Sequence, residues 1–233
     1  MLPNALPSRS ARRLRLQILR GRVGLGLVAG LSVLAGMTDA IGLLALGDFV
    51  SFMSGNTTRL AVAISQADLA MVLRLSGAIL SFVLGNALGI VLARGFRQRA
   101  WPVLVVVAAL LALAAAWVGA TTWPPLIAAI LAMGMINAVV EQVNGLPIGL
   151  TYVTGALSRF GRGLGRWLLG ERRNGWRVQL VPWSGMLLGA ALGGWLQHHL
   201  GLQALAGSCA LACLLALVTR FIPRSWQRGY MPR

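Results

Sequence analysis

The chain has 233 residues, 57% of them hydrophobic and only 11% charged, and its mean hydropathy of +0.75 lies far above the range of soluble domains. All 21 basic residues are arginines set against five acids, a formal charge of +16 that in a soluble protein would point to nucleic acid. Long apolar runs exclude that reading and indicate an integral membrane protein whose arginines set its orientation and touch anionic lipid.

In chain order, a basic arm over 1–22 precedes apolar runs at 23–47, 71–93, 101–120, 124–143, 178–197 and 200–221, and a basic tail occupies 222–233. Each run is long enough to cross roughly 30 Å of hydrocarbon as a helix. The runs are rich in Leu, Ala and Gly and lack the two-residue alternation of membrane barrels, so the expected fold class is an all-α bundle of six transmembrane helices. The first run, about 25 residues, exceeds the roughly 7 to 15 of a cleaved signal core and reads as the first span. With the N-terminus inside, nineteen arginines fall on one side and only Arg59 and Arg74 on the other. Short Arg-rich loops stay cytoplasmic, so both termini are expected there. Making 49–65 a seventh span would bury Arg59 at roughly 2.5 to 3.5 kcal/mol and carry Arg94, Arg97 and Arg99 outside, which disfavours it.

An internal echo organises these runs. Gly36-Met-Thr-Asp-Ala40 returns as Gly134-Met-Ile-Asn-Ala138 at an offset of 98. Ser51-Phe-Met-Ser-Gly55 returns as Thr151-Tyr-Val-Thr-Gly155, and Arg59 as Arg159, at an offset of 100. Ser81, Gly85 and Gly89 return as Gly185, Gly189 and Gly193 at 104. Three landmarks in one order divide the chain into repeats at 23–120 and 121–221. Each holds three spans, an odd number, so the second must cross in the opposite sense. Inverted repeats of this kind place substrate sites near mid-membrane at the junction of the halves.

Asp39 lies about eight residues, or ~12 Å of helix, inside its span. A carboxylate there implies a polar cavity or a partner, while an interhelical hydrogen bond is the structural alternative. Asn137 repeats its shape without the charge and is positioned by the repeat to donate its amide to that carboxylate. Two segments dense in hydroxyls and amides follow the first and fourth spans and read as broken or re-entrant helix. They contribute Ser51, Ser54, Asn56 and Thr57 from the first half, and Thr151, Tyr152 and Thr154 from the second. Lining a cavity and capping helices at the lipid surface are both open to them. Gly77, Ser81, Gly85 and Gly89, with Gly185, Gly189 and Gly193, form small-residue stripes for close helix packing, compatible also with a homo-oligomer.

Other features carry less. Glu141 shares a helix face with Asn137, extending a polar path or pairing with a loop arginine. His198 and His199 fall at the outer mouth and read as interfacial, and Cys209 and Cys213 read as packing residues, so no metal is expected. The stretch 159–177 alternates arginines with Phe160, Leu164, Trp167, Leu168 and Trp176 and suits a helix lying in the inner interface. No phosphate loop with lysine and no paired nucleophile and base is visible, so neither an enzyme nor a cofactor is expected.

The motifs Gly36-Met-Thr-Asp-Ala40, Phe49-Val-Ser-Phe-Met-Ser-Gly-Asn-Thr-Thr58, Gly134-Met-Ile-Asn-Ala138 and Thr151-Tyr-Val-Thr-Gly155 together resemble the YoaK-like family of bacterial inner-membrane proteins, a domain of unknown function numbered 1275. The resemblance covers nearly everything after the basic arm and implies a small multi-pass inner-membrane protein, without a substrate. Combined with the repeat, it leads to the expectation of a small-solute transporter of the alternating-access type, with Asp39 as a proton-coupling group. A passive channel and a structural or assembly protein of the membrane are the alternatives.

Overall fold

The computed structural model describes residues 9–143, 146–147, 153–171 and 175–231. Its α-helices are α1 (Arg9–Leu46), α2 (Met53–Ser65), α3 (Leu69–Gly95), α4 (Ala100–Ala115), α5 (Trp123–Met135), α6 (Val153–Leu168), α7 (Leu180–Leu200), α8 (Leu205–Phe221) and α9 (Arg224–Gln227). A small antiparallel hairpin pairs β1 (Gln142–Val143) with β2 (Leu146–Pro147). Among the described residues the fold is all-helical apart from that hairpin. Three helical stretches, Arg13–Leu46, Leu69–Gly95 and Trp176–Phe221, are long and apolar enough to cross a membrane, and Ala100–Ala115 and Trp123–Ala138 are shorter apolar helices beside them. The third long stretch contains both α7 and α8, which part at Gly201, where φ is +56° and a side chain would strain the turn.

Close backbone approach decides how the long helices pair. A methyl group added to Gly189 would strike the carbonyl of Val33, and one added to Gly193 the carbonyl of Met37, so α7 lies directly on α1. In the same way Gly85 faces the carbonyl of Leu131 and Gly89 that of Met135, setting α3 on α5. The return contacts match: Gly36 faces the carbonyl of Met186, and Gly134 that of Phe82. Lipid offers little hydrophobic reason for helices to associate, so van der Waals contact along such stripes is a main source of cohesion. Gly77 stands outside this approach, because its neighbour is the ring of Trp123 rather than backbone. Contacts that step forward together along both helices mean that α1 runs parallel to α7, and α3 to α5.

Helix α4 packs on α8 in the opposite sense, with Trp101 near the start of α4 beside Arg220 near the end of α8. Most of the largest fully buried side chains come from α1 (Leu31, Leu34, Met37, Ile41), α4 (Leu104, Leu111) and α5 (Leu126, Ile130, Met133, Met135), with Leu75 of α3 and Tyr230 also fully buried. By contrast, α3 turns Leu80, Val83, Leu84, Leu88 and Val91 outward, the face expected of a helix bathed in lipid.

At the end of the bundle where α1 begins, the C-terminal segment is a packed plug. Gln227, buried, accepts from the amide of Ala100 at the head of α4 and donates to the carbonyls of Thr219 and Ile222 at the foot of α8. Those are helix-terminal groups without intrahelical partners. Tyr230, also buried, accepts through its carbonyl from the amides of Glu141 and Gln142. The run expected to end at 143 therefore stops being α-helix at Met135 and tightens into a 3₁₀ turn over Ile136–Ala138. Val139, Val140 and Val143 are apolar because they are buried in the protein core. Helix α1, in turn, starts at Arg9, well before the first apolar residue of its span, and at ~1.5 Å per residue its 38 residues extend about 57 Å.

Candidate functional site

After Leu46 the chain reverses at Gly47, with φ of +83°, and residues 47–52 fold back along the last turns of α1. Gly42 leaves the room that this return needs, since a Cβ there would sit 2.6 Å from Val50 Cγ1. Asp39, 6% exposed, receives the loop: its Oδ1 accepts from the amide of Val50 at 2.8 Å and of Ser51 at 2.9 Å. Two otherwise orphaned amides are thus satisfied by a single carboxylate oxygen, and bonds of this charge-assisted kind are stronger than neutral ones. Asn56, fully buried in the first turn of α2, holds the same loop from the other side by donating to the carbonyl of Phe49 at 2.7 Å. Its Oδ1 has no donor among the described residues.

One turn further out, Asp48 closes the end of the bundle. It is 1% exposed and pairs with Arg59 at 2.7 Å and with Arg74. Arg59 also donates to the carbonyl of Gly47. Arg74 donates to the carbonyl of Leu46 and to Thr122 Oγ1, and its guanidinium lies 5.8 Å from the ring centroid of Trp123. This single side chain therefore joins the end of α1, the loop, the start of α3 and the head of α5. A buried acid between two arginines satisfies the pairing requirement of a charge removed from water.

The other residues expected at the site differ in burial and partners. Ser51 is buried beside Asp39, whereas Ser54 and Thr57 are exposed on α2, where Thr57 returns its hydroxyl to the carbonyl of Met53. Asn137 is half-buried and donates to the carbonyls of Met133 and Gly134, one turn back on its own helix. No hydrogen bond joins it to Asp39 among the described residues. Thr154 is exposed at the head of α6, and Thr151 and Tyr152 lie outside the described residues. Glu141 is exposed and engages Tyr230 through its backbone. His198 and His199 are exposed at the end of α7, with His199 against Trp195. Among the described residues no group of three or more His, Cys, Asp or Glu is placed to hold a metal ion.

Sequence reasoning does not single out Asp48, Gln227 or Tyr230, and it notes Arg74 only for its side of the membrane. For Asp48 a signal exists: it is one of only five acids, and it sits close to the two arginines that fall apart from the other nineteen. Where Arg59 meets Asp48, its counterpart Arg159 meets the neutral Gln179, at 2.9 Å.

Comparison with known proteins agrees with a membrane bundle. The model of a family described as "Protein of unknown function (DUF1275)" matches residues 27–218. A relative from Rhizobium meliloti (strain 1021), "UPF0700 transmembrane protein RA0705", is 53% identical over 214 residues, covering 91% of this chain and 93% of its own. No solved structure matches the chain.

Proposed function

The chain belongs to the DUF1275 family, and from that premise we propose that it is a six-span inner-membrane transporter of a small solute, working by alternating access, with both termini cytoplasmic. The observation that carries this reading is the reciprocity of the glycine contacts. Gly85 meets Leu131 as Gly189 meets Val33, and Gly134 meets Phe82 as Gly36 meets Met186. Each pair maps onto the other by the offsets of 98 and 104 that relate the halves of the sequence. Exchange of helices between two oppositely oriented triplets, 23–120 and 121–221, accounts for all of these pairs. Such an architecture suits rocking of one glycine-packed pair against the other around a central path.

Asp39 is the coupling group in this reading. Its ionised carboxylate holds residues 47–52 against α1, and protonation weakens both amide bonds, freeing a loop that Asn56 holds from its other side. The test is flux into proteoliposomes. Saturable uptake driven by a pH gradient, with the gradient dependence lost in Asp39→Asn, supports the proposal; non-saturable flux indifferent to that change indicates a channel.

A structural role is the second reading, favoured by one observation: Asp39 Oδ1 is engaged by two backbone amides of the loop that follows its own helix, as in a purely architectural cap. Absence of flux for any tested solute, together with loss of folding in Asp39→Asn, would support it.

A further inference from the structure

The bundle carries, at the end where α5 stops and α7 starts, a helix whose surface chemistry its packing does not consume. On α6, Arg159, Arg162 and Arg166 recur at intervals of three and four, while Leu157, Leu164 and Leu168 recur at seven and four on the opposite face. Its third side faces the protein: Ala156 is fully buried, Phe160 packs on Trp176 at 5.1 Å between centroids, and Gly163 lies beneath the Trp176 side chain. The apolar face is left open, with Leu157 39%, Leu164 36% and Leu168 71% exposed. Arg162 and Arg166 are exposed as well, with no acid on the helix to neutralise them. Arg177, 5.3 Å from the ring centroid of the Trp176 that covers Gly163, is a further exposed guanidinium in the segment packed on α6.

The corresponding helix in the first half lacks this character. α2 has one arginine, Arg59, and Asp48 pairs with it. A helix with leucines on one face and arginines on the other is too charged to span a bilayer and is built to lie in its interface. The surplus positive charge selects the lipid. We propose that α6 docks anionic phospholipid, its leucine face seated among acyl chains and Arg162 and Arg166 receiving headgroup phosphates. That this leaflet is the cytoplasmic one rests on the orientation proposed above; recognition of the lipid by α6 does not.

The test uses the full chain in neutral detergent, with the unfolding temperature followed as lipid is added, since a ligand of the folded state raises it. Phosphatidylglycerol is expected to raise it, with phosphatidylcholine and inorganic phosphate having little effect. The Arg162→Gln/Arg166→Gln variant is expected to unfold like the wild type without lipid and to lose most of the shift. An undiminished shift in that variant overturns the proposal, as does an equal shift from phosphatidylcholine or from inorganic phosphate. Should the variant unfold early even without lipid, the wild type decides: a phosphatidylglycerol shift that survives high salt is not the electrostatic recognition proposed. Solute flux enters none of these measurements, so their outcome stands apart from that of the transport assay.

Discussion

Tyr230 donates its phenolic hydrogen to the carbonyl of Arg20 at 2.5 Å, joining positions 210 residues apart in sequence. The Arg20 guanidinium lies 5.7 Å from the same ring centroid, and Gly24 leaves space for the ring on α1. The last turn of the chain therefore locks its first helix. Tyr230→Phe removes one hydrogen bond and should cost about 1 kcal/mol, whereas Tyr230→Ala also empties a core position and should cost roughly 3 to 5 kcal/mol. Thermal unfolding in detergent checks the order of the two.

The same contact predicts a dependence on alkaline pH. Burial pushes the Tyr230 phenol above its ordinary value of 10.0, against the opposing pull of Arg20. The folded state thus holds this proton more tightly than the unfolded one. Below the unfolded value both states are protonated and the contribution is complete; it is lost as pH rises from there through the raised folded value. Wild type should lose stability over that window more steeply than Tyr230→Phe, measured as unfolding temperature against pH.

Asp48 should be among the most sensitive polar positions. Removing it leaves Arg74, which is 22% exposed, without its counter-ion, and breaking a buried pair in this way costs roughly 3 to 5 kcal/mol. Arg59→Ala should cost less, because Arg59 is 36% exposed and water takes up part of the lost pairing. Asp48→Ala, Arg74→Ala and Arg59→Ala compared by thermal unfolding give the ranking; equal small losses in all three would contradict the buried network.

The glycines offer a contrast at nearly constant chemistry. Gly189→Val and Gly85→Val each drive a side chain into a facing backbone carbonyl and should split the α1/α7 or α3/α5 pair, seen as loss of a monodisperse folded species on size exclusion. Gly26→Ala, with nothing within 4 Å of its Cβ position, should be silent. Gly77→Ala has only the Trp123 ring to displace, at 3.2 Å, and should be mild.

The long helices and the stripes that pair them are readable because both signals are local: hydropathy over some twenty residues, and small residues one turn apart. What escapes the sequence is carried by distance. Gln227 and Ala100 are 127 residues apart, and no periodicity announces that one caps the other. Val139 and Val140 read as the end of a span because burial in the core and burial in lipid demand the same side chains. Asp39 is readable as a buried carboxylate in need of a partner. That the partners are the backbone amides of Val50 and Ser51 depends on the reversal at Gly47, where a positive φ turns the chain back on its own helix.

Asp39 therefore offers the sharpest separation between a cap and a coupling group. Asn at this position keeps a carbonyl oxygen for the amides of Val50 and Ser51 but loses the charge. Two charge-assisted bonds of roughly 1.5 to 3 kcal/mol become neutral ones of about 0.5 to 1.5, so Asp39→Asn should be weakened yet folded. Asp39→Leu leaves both amides without an acceptor and should release the loop outright. A thiol at position 50 reports that release, since Val50 is fully buried. In a Cys209→Ala/Cys213→Ala background, Val50→Cys should resist a water-soluble maleimide at neutral pH, react faster with Asp39→Asn added, and react fastest with Asp39→Leu. If the carboxylate is the element that holds the loop, acidification should speed labelling in the Asp39 protein and leave the rate in Asp39→Asn unchanged, once corrected for the reagent's own pH dependence. Equal rates in all three proteins would mean that the loop is held by its packing against Gly42 and Asn56 instead.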